Sequence, residues 1–252
     1  MSAPLALLAA SPEAATLAAE VEPAELNRLL GMPRQRALEG ELAARAEGAR
    51  GWYAASGRPR ILARRADVVA IESERVRLDG GRVLAGRALV ERLGRGRAHA
   101  ALVVAITAGP EVDAETERLW MDDRPDESFF LDRLATGVVE RLVLRATTWL
   151  CREASLLGET ALPHLSPGCG AWDFGEQRPL WEWLAGGASE RELAPFEMME
   201  SGMLKPKLSL LAVIGLTRDA GAVGSELTAS VACRACDLAP CAFRRAPFAR
   251  VA

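Results

Sequence analysis

The run Ala100-Ala101-Leu102-Val103-Val104-Ala105-Ile106-Thr107, closed by Ala108-Gly109-Pro110, constrains this chain more than any other stretch. A continuous apolar run of that length ended by turn formers predicts a central, buried β-strand. Leu208–Leu216 repeats the same character near the C-terminus and predicts a second such strand. Between them, Phe129, Phe130, Leu134, Val138, Leu142, Ala146, Trp149 and Leu150 recur at three- and four-residue intervals. That period predicts one long helix buried along most of its girth. A chain of 252 residues is within reach of a single large α+β domain or two small ones.

The remaining elements follow from local signals. Ala24, Leu26, Leu29 and Leu30 have helical spacing that stops at Gly31-Met32-Pro33, and a second helix is expected over residues 34–49. Ile61-Leu62-Ala63, Val68–Ile71 and Val76-Arg77-Leu78 are short β-type runs; Asp79-Gly80 predicts that Glu74–Leu78 and Val83–Ala85 form a hairpin. Gln177–Leu184 restarts a helix, and the residues from Met198 to Lys207 read as a connector. Residues 1–22, rich in alanine, are expected as an N-terminal arm, residues 23–228 as the main domain, and 229–252 as a cysteine-bearing tail.

Charge excludes several functions. Lys and Arg number 31 against 34 Asp and Glu, so no positive excess exists to displace counterions from a nucleic acid. The apolar runs fall well short of the about 20 residues that cross a bilayer, and no basic segment precedes the apolar N-terminal residues as in a secretory signal. The expectation is a cytoplasmic protein that binds neither membrane nor nucleic acid. Two histidines, and no Ser-His-Asp, His-Glu-x-x-His or Walker pattern, disfavour a hydrolase or kinase.

Three features could carry chemistry. Cys233-x2-Cys236-x4-Cys241 has the spacing by which thiolates reach one metal from a tight turn. A fourth ligand would come from Cys169, Cys151, His164, His99 or a partner; the plainer reading is reduced thiols beside Arg244-Arg245. The loop Ser166-Pro167-Gly168-Cys169-Gly170 offers backbone donors and close approach, but turn chemistry explains it equally. Trp172, Trp181 and Trp183 would wall a pocket for a flat ring or fill a core. Along the long helix, Asp132, Thr136 and Glu140 form a polar line that a solvated edge would explain.

Four ordered segments resemble the activation, or reactivation, domain of cobalamin-dependent methionine synthase and its stand-alone relatives. They are Ala105–Asp113, similar to a strand ending in a Thr-x-Gly-Pro-Glu-Val turn; Phe130–Asp132 through Val139-Glu140, similar to a helix with a Leu-Asp pair and a later Glu; Ser166–Trp172 with Glu176-Gln177, similar to a Ser-Pro-Gly-Tyr loop followed by Trp and Glu-Gln; and Ser201–Ser209 with Gly215-Leu216, similar to a Met-Leu-Pro-Lys-Ser segment. The resemblance covers roughly residues 100 to 245, with weaker similarity at Glu25–Gly31. The Cys233–Arg245 tail resembles one found on some corrinoid-protein activators.

The resemblance implies a C-shaped α+β domain with a twisted antiparallel sheet and flanking helices, binding S-adenosylmethionine and docking on a partner's cobalamin. Its implied task is reactivation: cob(II)alamin is reduced by a flavodoxin- or ferredoxin-type donor and methylated from S-adenosylmethionine. No Asp-x-His-x-x-Gly cobalamin motif is present, so the corrinoid would come on a cobalamin-binding methyltransferase protein. Carried over residue by residue, the cofactor contacts would be Glu140, His164, Ser166, Pro167, Gly168, Cys169, Gly170 and Trp172. Two positions depart from the pattern: His164 stands where an arginine commonly clamps the ligand carboxylate, and Cys169 stands in place of the tyrosine. That substitution also allows Cys169 to join Cys233, Cys236 and Cys241 around zinc or an iron-sulfur cluster. Two other functions remain open: a corrinoid-dependent methyltransferase subunit whose cysteine-bound zinc activates a thiol, and a docking module without a ligand.

Overall fold

The computed structural model describes residues 7–155, 158–169 and 172–219, with backbone alone over 147–155. Its centre is β5 (Ala100–Thr107), every residue of which is buried. β5 pairs antiparallel on one side with β2 (Arg60–Ile71), from Arg60 opposite Thr107 to Asp67 opposite Ala100. On the other side it pairs antiparallel with β9 (Ser209–Thr217), from Ala100 opposite Leu216 to Thr107 opposite Ser209. Both apolar runs are therefore central strands, as their composition predicts. β6 (Thr160–Ala161) closes the β9 edge.

β2 is one long strand where the sequence suggests two short runs. Its first half carries β1 (Leu8–Ala10) and its second half carries β3 (Arg75–Leu78), both on the edge opposite β5. A register shift between Val68 and Ala70 lets the strand bend from one partner to the next. β3 turns through Asp79–Gly81 into β4 (Val83–Ala85), as Asp79-Gly80 predicts. The strand order is β4-β3-β2-β5-β9-β6, an antiparallel sheet curled by the bend in β2.

Antiparallel pairing puts directly opposed residues on the same face, which divides the core in two. Leu102, Val104 and Ile106 face one core with α1 (Ala14–Glu20), α2 (Pro23–Leu29), α3 (Gly40–Ser56), α5 (Pro110–Met121) and α6 (Pro125–Ser155). Ala101, Val103 and Ala105 face the other, with α4 (Arg87–Arg95) and α7 (Gln177–Ala185). Beyond α7 come a short α8 (Glu190–Leu193) and a ribbon of β7 (Glu197–Met198) and β8 (Leu204–Lys205), where the sequence suggests only a connector. No helix among the described residues is long and apolar enough to cross a membrane.

The arm expected over residues 1–22 is corrected: from Leu8 onward it belongs to the domain, as β1 and α1. Leu17 and Val21 are fully buried, and the small alanines allow α1 to lie close against α3 and α6. The helix expected over 34–49 begins only at Gly40. The preceding residues stay outside the helix: the Arg36 N–H closes a turn on the Pro33 carbonyl at 3.0 Å, and buried Asn27 donates from Nδ2 to the carbonyls of Arg34 at 3.2 Å and Arg36 at 2.7 Å.

One hydrogen bond ties α3 to the end of β5: Tyr53, fully buried, donates to the Ala108 carbonyl at 2.8 Å. Tyr53→Phe leaves that carbonyl without its partner and is expected to lower stability by about 1–2 kcal/mol, measured by urea denaturation.

Candidate functional site

The loop that joins β6 to α7 is positioned residue by residue. Leu162 donates its N–H to Gly215 at 2.8 Å, and Leu165 and Val213 exchange N–H···O bonds at 2.9 and 2.8 Å. Gly215 permits this approach, because a Cβ there would lie 2.6 Å from Leu93 and 2.8 Å from Leu162. Ser166-Pro167-Gly168-Cys169 then forms a tight turn. The Cys169 N–H donates to the Ser166 carbonyl at 3.1 Å, and Gly168 adopts φ 82°, the conformation that the third residue of a type II turn requires. Proline ahead of that glycine supplies the fixed φ that the second position wants.

The turn is held down by Trp172. Its indole is 1% exposed and donates from Nε1 to the Ala85 carbonyl at 2.8 Å, while Glu176 accepts from the Ala85 N–H at 2.9 Å. The loop thus satisfies both backbone groups of the last β4 residue. The Gly168 N–H donates to the Trp172 carbonyl at 2.9 Å, closing the loop on itself. Phe174 lies 3.5 Å from where a Gly168 Cβ would stand and 3.4 Å from one at Gly202. Gln177 Nε2 donates to the Gly202 carbonyl at 2.8 Å, and Arg178 to the carbonyls of Met199 and Glu200. Loop, α7 and the β7–β8 ribbon are therefore one packed unit.

Of the residues singled out in the sequence, the structure brings together Ser166, Pro167, Gly168, Cys169 and Trp172, with His164 half-buried at the entrance. Cys169 is exposed at the turn, and Ser166 is buried with its Oγ lacking a hydrogen-bond partner. Trp172, Trp181 and Trp183 are all buried in the second core, so they fill space rather than wall an open pocket. Gly170 and the cysteines at 233, 236 and 241 lie outside the described residues. Among those described, no group of three or more His, Cys, Asp or Glu residues could hold a metal ion.

Glu140 is held by an ion pair on the helical side of the sheet. Its carboxylate accepts from Arg28 of α2 at 2.9 Å, and Arg28 also pairs with Glu25 at 2.8 Å. The neighbours Val138 and Leu142 belong to the first core, whereas Leu165 and Trp172 belong to the second. The sheet stands between them, so the structure does not bring Glu140 to the loop. The Asp132 end of the same polar line is also paired, with Lys207 Nζ at 2.8 Å.

Sequence reasoning missed Arg92. It sits on α4 with Nη1 3.4 Å from the carbonyl of Pro163, next to His164. Burial lowers its pKa, and among the described residues it forms no ion pair with a carboxylate. A desolvated cation beside a tight turn can take an anionic group. Nothing in Arg87–Arg95 marks Arg92 out from the other arginines of that helix.

Below this unit a second buried network fixes the start of the loop. Glu159, with its side chain 2% exposed, accepts from Arg65 at 2.7 and 2.8 Å and meets His99 Nε2 at 2.7 Å. The Arg65 hydrogen bonds hold the Glu159 pKa at about 2, against the opposing effect of burial, with His99 adding to the lowering.

No family model matches this chain, and no curated protein does. Among solved structures, the fold is similar to that of the MetH reactivation domain crystallised with AdoHcy, at 16% identity and TM-score 0.61, over 84% of this chain and 78% of that one.

Proposed function

We propose that the chain is an accessory reactivation protein for a cobalamin-dependent methyltransferase of the methionine synthase type. The observation that carries this reading is the fold likeness, spanning most of both chains, to a reactivation domain whose structure holds AdoHcy. The Ser166–Trp172 loop fits such a ligand: its turn is closed by backbone hydrogen bonds, and the guanidinium of Arg92, which makes no ion pair among the described residues, lies against the Pro163 carbonyl next to His164. When bound, S-adenosylmethionine supplies the methyl group that returns a partner's cob(II)alamin, reduced by one electron, to its methylated state.

The chain's own residues bind and orient. The turn's backbone places the ligand, and Arg92 offers its carboxylate the positive charge that an arginine at position 164 would otherwise give. Exposed Phe174, Met199 and Met203 beside the loop give an apolar surface on which a corrinoid protein can dock. In this reading the electron comes from a flavodoxin- or ferredoxin-type donor.

Calorimetric titration of the anaerobically purified protein with S-adenosylmethionine tests it. Saturable binding is expected, weakened about tenfold or more in Arg92→Met, with cob(II)alamin methylation dependent on the protein when the partner and a reductant are added. Absence of binding at millimolar ligand would overturn the reading.

A further inference from the structure

We propose that the tip of the α5–α6 hairpin is a docking surface for a partner protein that presents an apolar pocket rimmed by lysine and arginine. The tip carries Trp120 and Met121, the last two residues of α5, at 65% and 83% exposure. The buried stripe of α5 is complete without them, since Val112, Thr116 and Leu119 supply it. Two adjacent large apolar side chains held in water do no packing for the fold and are open to a partner. Tryptophan and methionine are also among the residues in which the cores of protein interfaces are enriched.

The backbone beneath these side chains is fixed. The Arg124 N–H donates to the Leu119 carbonyl at 2.9 Å and the Asp123 N–H to the Trp120 carbonyl at 3.2 Å, a Schellman closure with Asp123 in the left-handed conformation at φ 57°. Behind it, Ser128 of α6 donates from Oγ to the Thr116 carbonyl at 3.0 Å and ties the two helices together. A partner therefore meets a surface that needs little ordering on binding.

The sign of the surrounding charge selects the partner. Residues 115–127 hold six acidic residues against two arginines. Both arginines are engaged within the tip, Arg118 on Glu115 and Asp122 and Arg124 on Glu127, whereas Glu117 and Asp123 form no ion pair among the described residues. Asp123 stands at the negative end of the α5 dipole, in a conformation that glycine adopts more easily, so local stability does not account for an acid there. A capping preference broken beside two exposed apolar side chains marks a functional surface. The acidic rim attracts lysine and arginine, and the exposed indole takes a cation on its face. The same charge turns away anionic lipid, nucleic acid and acidic proteins. This surface is separate from the Ser166 loop: α5 and α6 pack on the first core and the loop on the second, across the sheet.

The probe is a short fluorescein-labelled peptide of leucine and lysine in helical spacing, titrated with the full chain by anisotropy. A leucine–glutamate peptide of the same pattern and an oligolysine of equal charge are run beside it. The leucine–lysine peptide is expected to saturate at micromolar concentration, to shift tryptophan emission to the blue, and to bind more weakly as added salt screens the rim. The other two are expected to bind about tenfold or more weakly, one for its charge and the other for want of apolar surface. Trp120→Ser is expected to weaken the leucine–lysine peptide about tenfold and to abolish the emission shift, and Glu117→Gln combined with Asp123→Asn to weaken it about fivefold. Both variants should keep the wild-type thermal midpoint and S-adenosylmethionine binding, so a failure of this surface is distinguishable from a failure of the reactivation reading. Equal binding of the two leucine peptides, or wild-type affinity in either variant, would overturn the proposal. Trp120-dependent binding of phosphatidylglycerol vesicles would overturn it in favour of a membrane surface.

Discussion

Replacing Arg65 by methionine is expected to lower stability at neutral pH by about 3–5 kcal/mol, because it strands the buried carboxylate of Glu159 with His99 as its remaining side-chain partner among the described residues. In a protein of this size that corresponds to a fall in Tm of about 10 °C. The pH dependence follows from the sign of the shift. The Glu159 pKa lies at about 2 in the folded protein against 4.5 for an ordinary glutamate, so its contribution is complete above about pH 4.5 and is lost as pH falls towards 2. In Arg65→Met, protonation relieves the stranded charge over that interval. The gap between wild type and variant should therefore be widest above pH 5 and narrow below 4.5, measured by urea denaturation at pH 7, 5 and 3.5. A gap independent of pH would remove the ion pair from the explanation. Replacing Arg65 and Glu159 together with apolar residues should recover most of the loss.

Gly86→Ala is expected to cost about 3 kcal/mol or more and to unseat the functional loop. Gly86 has φ 142°, which side-chain-bearing residues rarely adopt, and its added Cβ would lie 2.4 Å from the indole of Trp172. The clash falls on the side chain that anchors the turn, and its indole bond to Ala85 depends on that close approach. Tryptophan emission should shift to the red as Trp172 becomes wetted, and S-adenosylmethionine binding should fall in parallel with the thermal midpoint. A variant with native emission and an unchanged midpoint would show that the loop holds without the indole anchor.

Much of the fold was legible because it depends on continuous or strongly periodic burial. β5, β9, the hairpin at Asp79-Gly80 and most of α6 follow from patterns that no local feature contradicts. Other elements were hidden by tertiary partners. Arg64 and Arg65 interrupt the apolar text of β2, yet both sit in the strand: Arg64 donates to carbonyls at the end of α7, and Arg65 meets Glu159. β1 and α1 were obscured because alanine gives little contrast between an inner and an outer face. The non-helical stretch before α3 depends on Asn27, a partner seven and nine residues away from the carbonyls it holds.

The site was legible to the same degree and for the same reasons. Pro167-Gly168 specifies its own turn, so the loop could be found from its residues. Glu140 could not be placed, because which face of the sheet a helix covers depends on long-range packing, here on Arg28. Arg92 was invisible because its burial against the Pro163 carbonyl is a property of its surroundings.

The pairing of β5 with β9 bears on how the chain is made. Thr107 finds its neighbour in Ser209, so during synthesis the apolar β5 emerges long before the strand that covers its second edge. Until then its backbone donors and acceptors on that side form an open template for other chains. β2 protects the opposite edge early, being nearer in sequence, but the ribosome must deliver the whole of α6, the loop and α7 before the sheet can close. Fragments that stop short of Ser209 should therefore aggregate rather than fold, and holding chaperones would be of most use to this protein over that interval of translation.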